Sequence, residues 1–240
     1  MRLDAYLLET KYFDSRTKAK QAIERGEIYL DGKKIDKSSF DVSLDIEHKI
    51  EWKREEDFVS LGGYKLSKAL KDFDFCVKDF IVADIGASTG GFTDCLIKNG
   101  AKKVFAIDLN DGLLHEKLRG DLRVVPLIKN AKNLSKEDFN LTLDLIVADL
   151  SFISITQVLP VFLNLIDSGK HLILLIKPQF EVGEKRKFKN GIVRDEKLRE
   201  QICENVIEYA GGLKLKTLKI TTAPIVDGKN VEFLILLKKD

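Results

Sequence analysis

Four charged residues interrupt or end stretches that are otherwise apolar: Lys65 in LGGYKLSKAL, Asp149 in DLIVADLSF, Lys177 in LILLIKPQFE and Glu232 in NVEFLILLKK. Two amines and two carboxylates can transfer a proton and can hold one another in place. Each residue alone could equally be a charge that reaches solvent from the end of an element. That explanation is weakest for Lys177, which follows five apolar residues and precedes a proline.

A glycine-rich segment, IVADIGASTGGF at Ile81–Phe92, has the pattern of a strand, a tight turn and the start of a helix. This layout binds nucleotide-like cofactors, because glycine lets the backbone approach a ligand closely. The alternative is a tight turn without a ligand. The turn departs from GxGxxG, which disfavours a nicotinamide dinucleotide. Candidate cofactor-binding residues are Asp84, Gly86, Ala87, Ser88, Thr89, Gly90, Gly91, Asp108 and Asn130.

Two of these candidates lie outside the turn. Asp108 ends the next apolar run, about 20 residues on, where an acid can accept hydrogen bonds from ribose hydroxyls. Asn130 could meet an adenine edge, or it could simply be a turn residue.

Apolar runs alternate with helix-length segments after residue 60. Helices are expected near Tyr64–Phe73, Phe92–Asn99, Thr156–Asp167 and Asp195–Tyr209. Strands are expected near Ile81–Asp84, Lys103–Asp108, Val124–Leu127, Leu143–Asp149, His171–Ile176, Lys214–Thr221 and Val231–Leu237. This order predicts a parallel sheet covered on both faces, with the last two strands as an antiparallel pair at its end. Because parallel strands end at one edge, Asp149 and Lys177 should converge beside the glycine turn.

The first 60 residues predict a small α+β block. Ser15 can cap a helix over Arg16–Arg25, Ile28–Leu30 reads as a strand, and Asp31–Gly32 is a hairpin turn. The segment Glu51–Ser60 is expected to be a linker. Candidate phosphate-contacting residues in this block, of the kind that bind nucleic acid, are Arg16, Lys18, Lys20, Arg25, Lys33 and Lys34. A second basic segment, Gly183–Arg199, adds Lys185, Arg186, Lys187 and Lys189. Composition alone would equally allow solvated surface charge.

The bulk composition limits the possible classes of protein. The chain has 240 residues and a net charge of +2, so any basic surface must be local. Three widely spaced cysteines, without CxxC or a His/Cys cluster, argue against disulfides and against a metal site. The charged N-terminus does not resemble a signal peptide, and no apolar run is long enough to span a membrane. We expect a soluble cytoplasmic protein.

Two known families share these motifs. The stretch RLDAYLLETKYFDSRTKAKQAIERGEIYLDGKKI resembles the S4-type RNA-binding domain. The four charged residues match the K-D-K-E tetrad of FtsJ-like ribose 2′-O-methyltransferases. GASTGGFTDCL, VADLSFIS, LIKPQFEVG and GIVRD resemble the TlyA family in particular, which joins the two domains. The segment LNDGLLHEKLRG follows the family pattern only in part, and Leu61 stands where a basic residue is expected.

The resemblance implies a fold, a reaction and partners. The fold would be a class I S-adenosylmethionine-dependent methyltransferase at 61–240, with a Rossmann-like seven-stranded sheet whose last strand is antiparallel. An S4-type domain would occupy 1–60. The reaction would be 2′-O-methylation of ribosomal RNA, with cytidine as the expected base, on rRNA or ribosomal subunits. No metal or membrane partner is expected.

The resemblance also assigns roles within the tetrad. Lys177 would be the base, Lys65 would assist it and hold the substrate, and Asp149 and Glu232 would orient both amines. A lysine can remove a hydroxyl proton only when burial and a neighbouring cation favour its neutral form. Two alternatives stay open: the pore-forming activity implied by the family's other name, hemolysin, and a noncatalytic RNA-binding role on the ribosome.

Overall fold

The computed structural model describes residues 1–52, 58–110, 112–182, 188–226 and 228–240, without the side chain of Lys189. The chain divides into two compact units, Met1–Asp57 and Phe58–Asp240. Phe58–Ser60, expected in the linker of the first block, therefore belong to the second unit.

The first unit packs two helices on a three-stranded sheet. Its elements are α1 (Leu3–Glu9), α2 (Arg16–Glu24), β1 (Ile28–Leu30), β2 (Lys33–Ile35) and β3 (Ile50–Trp52). The strand order is β2-β1-β3, and both pairings are antiparallel. Ser15 caps α2, because its side chain accepts a hydrogen bond from the Lys18 amide at 3.3 Å.

Strand β3 differs from the expectation for this region. Glu51 and Trp52 were predicted to lie in a linker, yet Trp52 pairs with Ile28 in the sheet. Its ring packs on Phe13, and its indole nitrogen donates a 3.1 Å hydrogen bond to Glu27. A three-residue strand is too short for an alternating pattern, so its partners determine it rather than its own sequence.

The second unit contains a seven-stranded sheet. Its helices are α3 (Leu61–Phe73), α4 (Gly91–Lys98), α5 (Glu116–Arg119), α6 (Leu159–Leu165), α7 (Pro178–Glu181) and α8 (Glu196–Gly212). Its strands are β4 (Ile81–Ile85), β5 (Lys103–Asp108), β6 (Val124–Ile128), β7 (Leu143–Ala148), β8 (Ile166–Ile176), β9 (Leu215–Thr222) and β10 (Phe233–Lys239). The order is β6-β5-β4-β7-β8-β10-β9.

The sheet topology confirms the predicted fold class. Strands β4 to β8 pair in parallel, and β10 runs antiparallel between β8 and β9. Alternate residues of β7 enter two different cores: Leu145 and Val147 lie on one face, and Ile146 and Ala148 on the other. Burial on both faces explains why the central strands read as continuous apolar runs.

The helix predicted over Thr156–Asp167 is shorter than expected. A 3-10 turn at Ile155–Gln157 precedes α6, which ends at Leu165, and β8 begins at Ile166. Pro160 lies in the first turn of α6, where its missing N–H removes no helical hydrogen bond. The five residues from Ile166 to Lys170 that extend β8 beyond the predicted strand include polar and exposed positions, so they lack the apolar signal of a buried strand.

Candidate active site

A cavity of about 170 Å³ opens at the carboxyl ends of β4, β7 and β8. The glycine turn forms one side of it, and charged or polar residues after β7 and β8 form the other. Its lining residues are Ser60, Gly62, Gly86, Ala87, Ser88, Thr89, Gly91, Phe92, Asp149, Ser151 and Lys177. The topology therefore brings five of the nine candidate cofactor residues together with two members of the charged tetrad.

Gly86 shows why the turn requires glycine. Its φ is +86°, a backbone conformation that costs a residue with a side chain about 1–2 kcal/mol. A Cβ atom there would lie 2.7 Å from the backbone carbonyl oxygen of Asp149. The turn thus approaches the end of β7 more closely than any side chain would permit. Gly90 is also left-handed, with φ +93°, and it immediately precedes α4.

The four tetrad residues form one chain of alternating charge. Lys65 Nζ lies 2.6 Å from Glu232 Oε2 and 3.9 Å from Asp149 Oδ2. Lys177 Nζ lies 2.6 Å from Asp149 Oδ1. Asp149 therefore lies between two ammonium groups, and only 8% of Lys177 is exposed. These ion pairs hold both amines in defined positions, with Lys177 at the cavity and Lys65 behind Asp149.

Two tetrad residues lie at different places relative to their helix or strand from those predicted. Lys65 lies in the second turn of α3, because the helix begins at Leu61 rather than Tyr64. Glu232 was placed in the last strand, but β10 begins at Phe233. The strand starts there because Phe233 pairs with Ile176, the last residue of β8. Glu232 therefore lies just beyond the paired strand end, level with the start of the segment that carries Lys177.

Ser151, which lines the cavity, and Phe152 beside it are residues that the sequence analysis did not single out. Ser151 Oγ is 2.8 Å from Lys177 Nζ. Phe152 is 91% exposed, with a left-handed φ of 64°. Its ring centroid lies 5.2 Å from that of Phe180, which itself lies 5.9 Å from Lys177 Nζ. The available signal was a polar and an aromatic residue two and three positions after Asp149.

Asp84 is completely buried at the carboxyl end of β4. Its Oδ2 accepts a 2.6 Å hydrogen bond from the hydroxyl of Thr93, whereas its Oδ1 has no partner among the described residues. Burial raises the pKa of Asp84 to about 7; the Thr93 hydroxyl opposes this, and the charges of Asp149 and Asp108 add to it. Asp84 does not line the cavity.

Asp108 and Asn130, the two candidates beyond the turn, bond to backbone amides. Asp108 Oδ2 accepts from the Ser88 amide at 2.8 Å, and its Oδ1 accepts from the Leu109 amide at 2.7 Å. The exposed Asn130 caps a 3-10 turn by accepting from the Lys132 amide at 2.9 Å. Asp108 thus supports the glycine turn directly, while Asn130 is not among the residues that line the cavity.

The first turn of α3 and the residues before it close another side of the cavity. Ser60 and Gly62 line it, and a Cβ on Gly91 would meet the amide nitrogen of Gly63 at 2.8 Å. The Val59 amide donates a 2.9 Å hydrogen bond to the buried carboxylate of Asp94 on α4. This close packing explains why position 91 requires glycine, which the sequence pattern alone did not show.

Several candidate RNA contacts in the first unit also hold acids. Arg16 donates a 3.0 Å hydrogen bond from Nε to the buried carboxylate of Asp4. Burial opposes ionisation of Asp4, but hydrogen bonds from Arg2 and Arg16 outweigh it and lower its pKa to about 2. Arg25 likewise pairs with the buried Glu27. Both arginines therefore help to fold the unit, whatever else they bind.

The remaining basic candidates divide into exposed and undescribed residues. Lys18 pairs with Asp14 at 2.7 Å and Lys20 with Glu24 at 3.5 Å, both on the exposed side of α2. Lys33 and Lys34 are exposed on the hairpin. Predictions for Lys185, Arg186 and Lys187 fall outside the described residues, as does the side chain of Lys189.

Metal and membrane features were sought in the same part of the chain. No group of three or more His, Cys, Asp or Glu residues within the described ranges is arranged to hold a metal ion. No helix among them is both long enough and apolar enough to cross a bilayer.

Comparison with known proteins adds independent information. Residues 58–239 match the FtsJ-like methyltransferase family, and residues 1–45 match the S4 domain. The chain is similar to Hemolysin A of Brachyspira hyodysenteriae, at 42% identity over 98% of both chains. It is also similar to the 16S/23S rRNA (cytidine-2′-O)-methyltransferase TlyA of Mycobacterium tuberculosis H37Rv, at 36% identity over 99% of this chain and 89% of that protein.

A solved structure agrees with these sequence matches. A Lactococcus lactis protein, provisionally described as a hemolysin, superposes with a TM-score of 0.74 at 40% identity. The match covers 78% of this chain and 90% of that one.

Proposed function

This chain belongs to the FtsJ-like methyltransferase family and carries an S4 domain, and from that premise we propose that it methylates ribosomal RNA. The methyl donor would be S-adenosylmethionine and the acceptor a ribose 2′-hydroxyl, with cytidine as the expected base. The observation that carries this proposal is the Glu232–Lys65–Asp149–Lys177 charge chain beside a cavity lined by the glycine turn.

The cavity side formed by the glycine turn fits the cofactor. Gly86 lets the turn lie against the end of β7, where a Cβ atom would meet the Asp149 carbonyl, and Ser88 and Thr89 add hydroxyls at the cavity surface. Asp108 would accept a hydrogen bond from the ribose at Oδ2, which has a second lone pair besides the one used by the Ser88 amide. When bound, S-adenosylmethionine supplies an electrophilic methyl group on a sulfonium.

Lys177 would remove the proton of the acceptor hydroxyl. As a neutral amine, its Nζ has two N–H groups, which suffice for its contacts to Asp149 and Ser151, and one lone pair. The lone pair remains to accept the proton of the ribose hydroxyl. Asp149 pairs with the Lys177 amine and fixes its position. Lys65, which pairs with Glu232, places a second cation beside the Asp149 carboxylate. These residues orient the hydroxyl and hold its proton at Lys177 Nζ during transfer.

Phe152 would receive the target nucleotide. An aromatic ring that is 91% exposed costs free energy in water, and a nucleotide base can stack on it for about 1–3 kcal/mol. The ring of Phe180 packs against that of Phe152, with the two centroids 5.2 Å apart. In the first unit, exposed lysines on α2 and the hairpin would contact phosphates of folded RNA. A ribosomal substrate would place the reaction in the cytoplasm.

The decisive variant is Lys177→Arg. Arginine keeps the cation and can still pair with Asp149, but it cannot be deprotonated and therefore cannot act as a base. We expect transfer of radiolabelled methyl from S-adenosylmethionine to purified ribosomal subunits to fall by at least about 100-fold. Cofactor affinity, measured by calorimetry, should stay within about threefold of wild type.

The matched control is Lys238→Arg. Lys238 is exposed at the far end of β10, where it pairs across the sheet with His171. This variant should transfer methyl groups at the wild-type rate. Full activity of Lys177→Arg would overturn the assignment of the base, and a wild-type protein that methylates no RNA would overturn the proposed function itself.

A further inference from the structure

We propose that Glu181 is a positioning residue that holds the turn bearing Ser151 and Phe152 against the segment bearing Lys177. The proposal rests on the proposed function, because it concerns how substrate is presented to Lys177. Nothing in the tetrad pattern or in the glycine turn points to this residue. It follows Lys177 by four positions and ends the short helix α7.

Glu181 uses both carboxylate oxygens on the turn after β7. Its Oε1 accepts a 2.9 Å hydrogen bond from the Ile155 amide, and its Oε2 accepts from the hydroxyl of Ser154. Ser154 itself caps the 3-10 turn that begins at Ile155. Burial raises the pKa of Glu181, while the bonds from Ser154 and Ile155 favour the ionised form. Both oxygens of the partly buried Glu181 carboxylate therefore accept hydrogen bonds from the turn after β7.

The same two segments meet at two further points. Lys177 Nζ contacts Ser151 Oγ at 2.8 Å, and Phe180 contacts Phe152 with ring centroids 5.2 Å apart. Residues 151–155 and 177–181 are therefore joined at the catalytic amine, at the exposed ring and at Glu181. The proposed mechanism already gives roles to the groups of the first two connections. It gives none to Glu181, Ser154 or Ile155, which form the third.

The turn needs such a contact because its backbone is strained. Phe152 has a φ of 64°, in the left-handed region that bulky residues rarely adopt. A residue in this conformation persists only where surrounding contacts hold it there. Phe152 is itself almost fully exposed and contributes little burial. The hydrogen bonds from Ser154 and Ile155 to Glu181 lie two and three residues further on, and they supply that restraint.

The test uses Glu181→Gln in the full-length protein. Glutamine keeps the shape but has one acceptor oxygen instead of two, so one donor of the turn loses its partner. We expect kcat/KM for ribosomal subunits to fall about tenfold, as for the loss of one hydrogen bond to a charged group. Affinity for S-adenosylmethionine should remain within about twofold. Ser154→Ala, which removes a single donor, should show a smaller loss in the same direction.

A double-variant cycle separates positioning from general stability. If Glu181 acts through the turn, adding Glu181→Gln to Phe152→Ala should cost less than about twofold beyond Phe152→Ala alone. Fully additive losses would overturn the proposal. So would wild-type kcat/KM in Glu181→Gln. The control Glu200→Gln changes an exposed acid on α8 and should behave as wild type.

Hydrogen exchange gives a readout that does not need activity. Glu181→Gln should speed amide exchange at residues 151–155, with little change in the central strands β4 and β7. Exchange that stays at the wild-type rate in the turn would overturn the proposal even if the protein proved to have another substrate. Absence of methyl transfer by the wild type, together with faster exchange in the variant, would refute only the proposed function.

Discussion

Replacement of Asp84 by asparagine should increasingly stabilise the second unit, relative to the wild type, as the pH rises. Asp84 is fully buried, and its Oδ1 has no partner among the described residues. Burial is the main cause that raises its pKa from 3.8 to about 7. Between these two pH values, the folded protein binds a proton that the unfolded chain has released. The contribution of Asp84 to the free energy of unfolding is therefore fully present below pH 3.8 and is lost as the pH rises through 7.

The size of the effect follows from the same two pKa values. At roughly 1.4 kcal/mol per pH unit, the interval from 3.8 to about 7 limits the cost of ionising Asp84 to about 4 kcal/mol. Much of the change falls between pH 5 and pH 8, where it amounts to about 2–3 kcal/mol. Asparagine has nearly the same shape, does not titrate in this range, and can still accept the hydrogen bond from Thr93.

The assay is urea unfolding of the full chain between pH 5 and pH 8, followed by circular dichroism. The free-energy difference between Asp84→Asn and wild type should increase by about 2–3 kcal/mol across this range. The single tryptophan, Trp52, lies in the first unit, so its fluorescence provides an internal control that the substitution should not alter. A free-energy difference that stays constant with pH would refute the reasoning.

Two further predictions concern the cofactor turn and the first unit. Gly86→Ala should weaken S-adenosylmethionine binding by at least about tenfold in calorimetry, whereas Gly169→Ala should leave it unchanged. Both glycines have a left-handed φ, but only a Cβ at Gly86 would meet backbone atoms. Equal affinities of the two variants would contradict this reasoning. Arg16→Ala should lower the unfolding free energy of the first unit by about 1–2 kcal/mol, because it leaves a buried carboxylate with fewer partners. Combined Lys33→Ala and Lys34→Ala should instead weaken RNA binding and flatten its salt dependence, with little loss of stability; unchanged RNA affinity would count against that role.

Most of the second unit's framework could be predicted from the sequence. Its central strands are buried on both faces, so β4, β5 and β7 appear as apolar runs bounded by polar residues. The parallel order of the strands then places Asp149 and Lys177 at one edge. The glycine turn was also recognisable in the sequence, because the glycines at 86, 90 and 91 are typical of a tight turn or a close backbone approach.

Contacts that depend on tertiary packing could not be predicted in the same way. Arg16 and Arg25 look like surface charges in a basic segment, yet each holds a buried acid. Counting charges cannot reveal this, because burial of Asp4 and Glu27 depends on how α1, α2 and β3 pack. Ser151 was missed for a related reason: a serine after a strand is common, and only the fold places it against Lys177.

Ribose-methylation mapping of ribosomal RNA tests the central claim most directly. Cells with the wild-type gene, without it, and with only the Lys177→Arg form would be compared for 2′-O-methyl groups at every rRNA nucleotide. We predict that one or more 2′-O-methylcytidines are present in the wild type, absent from the deletion strain, and not restored by Lys177→Arg. An identical methylation pattern in all three strains would contradict the proposed function.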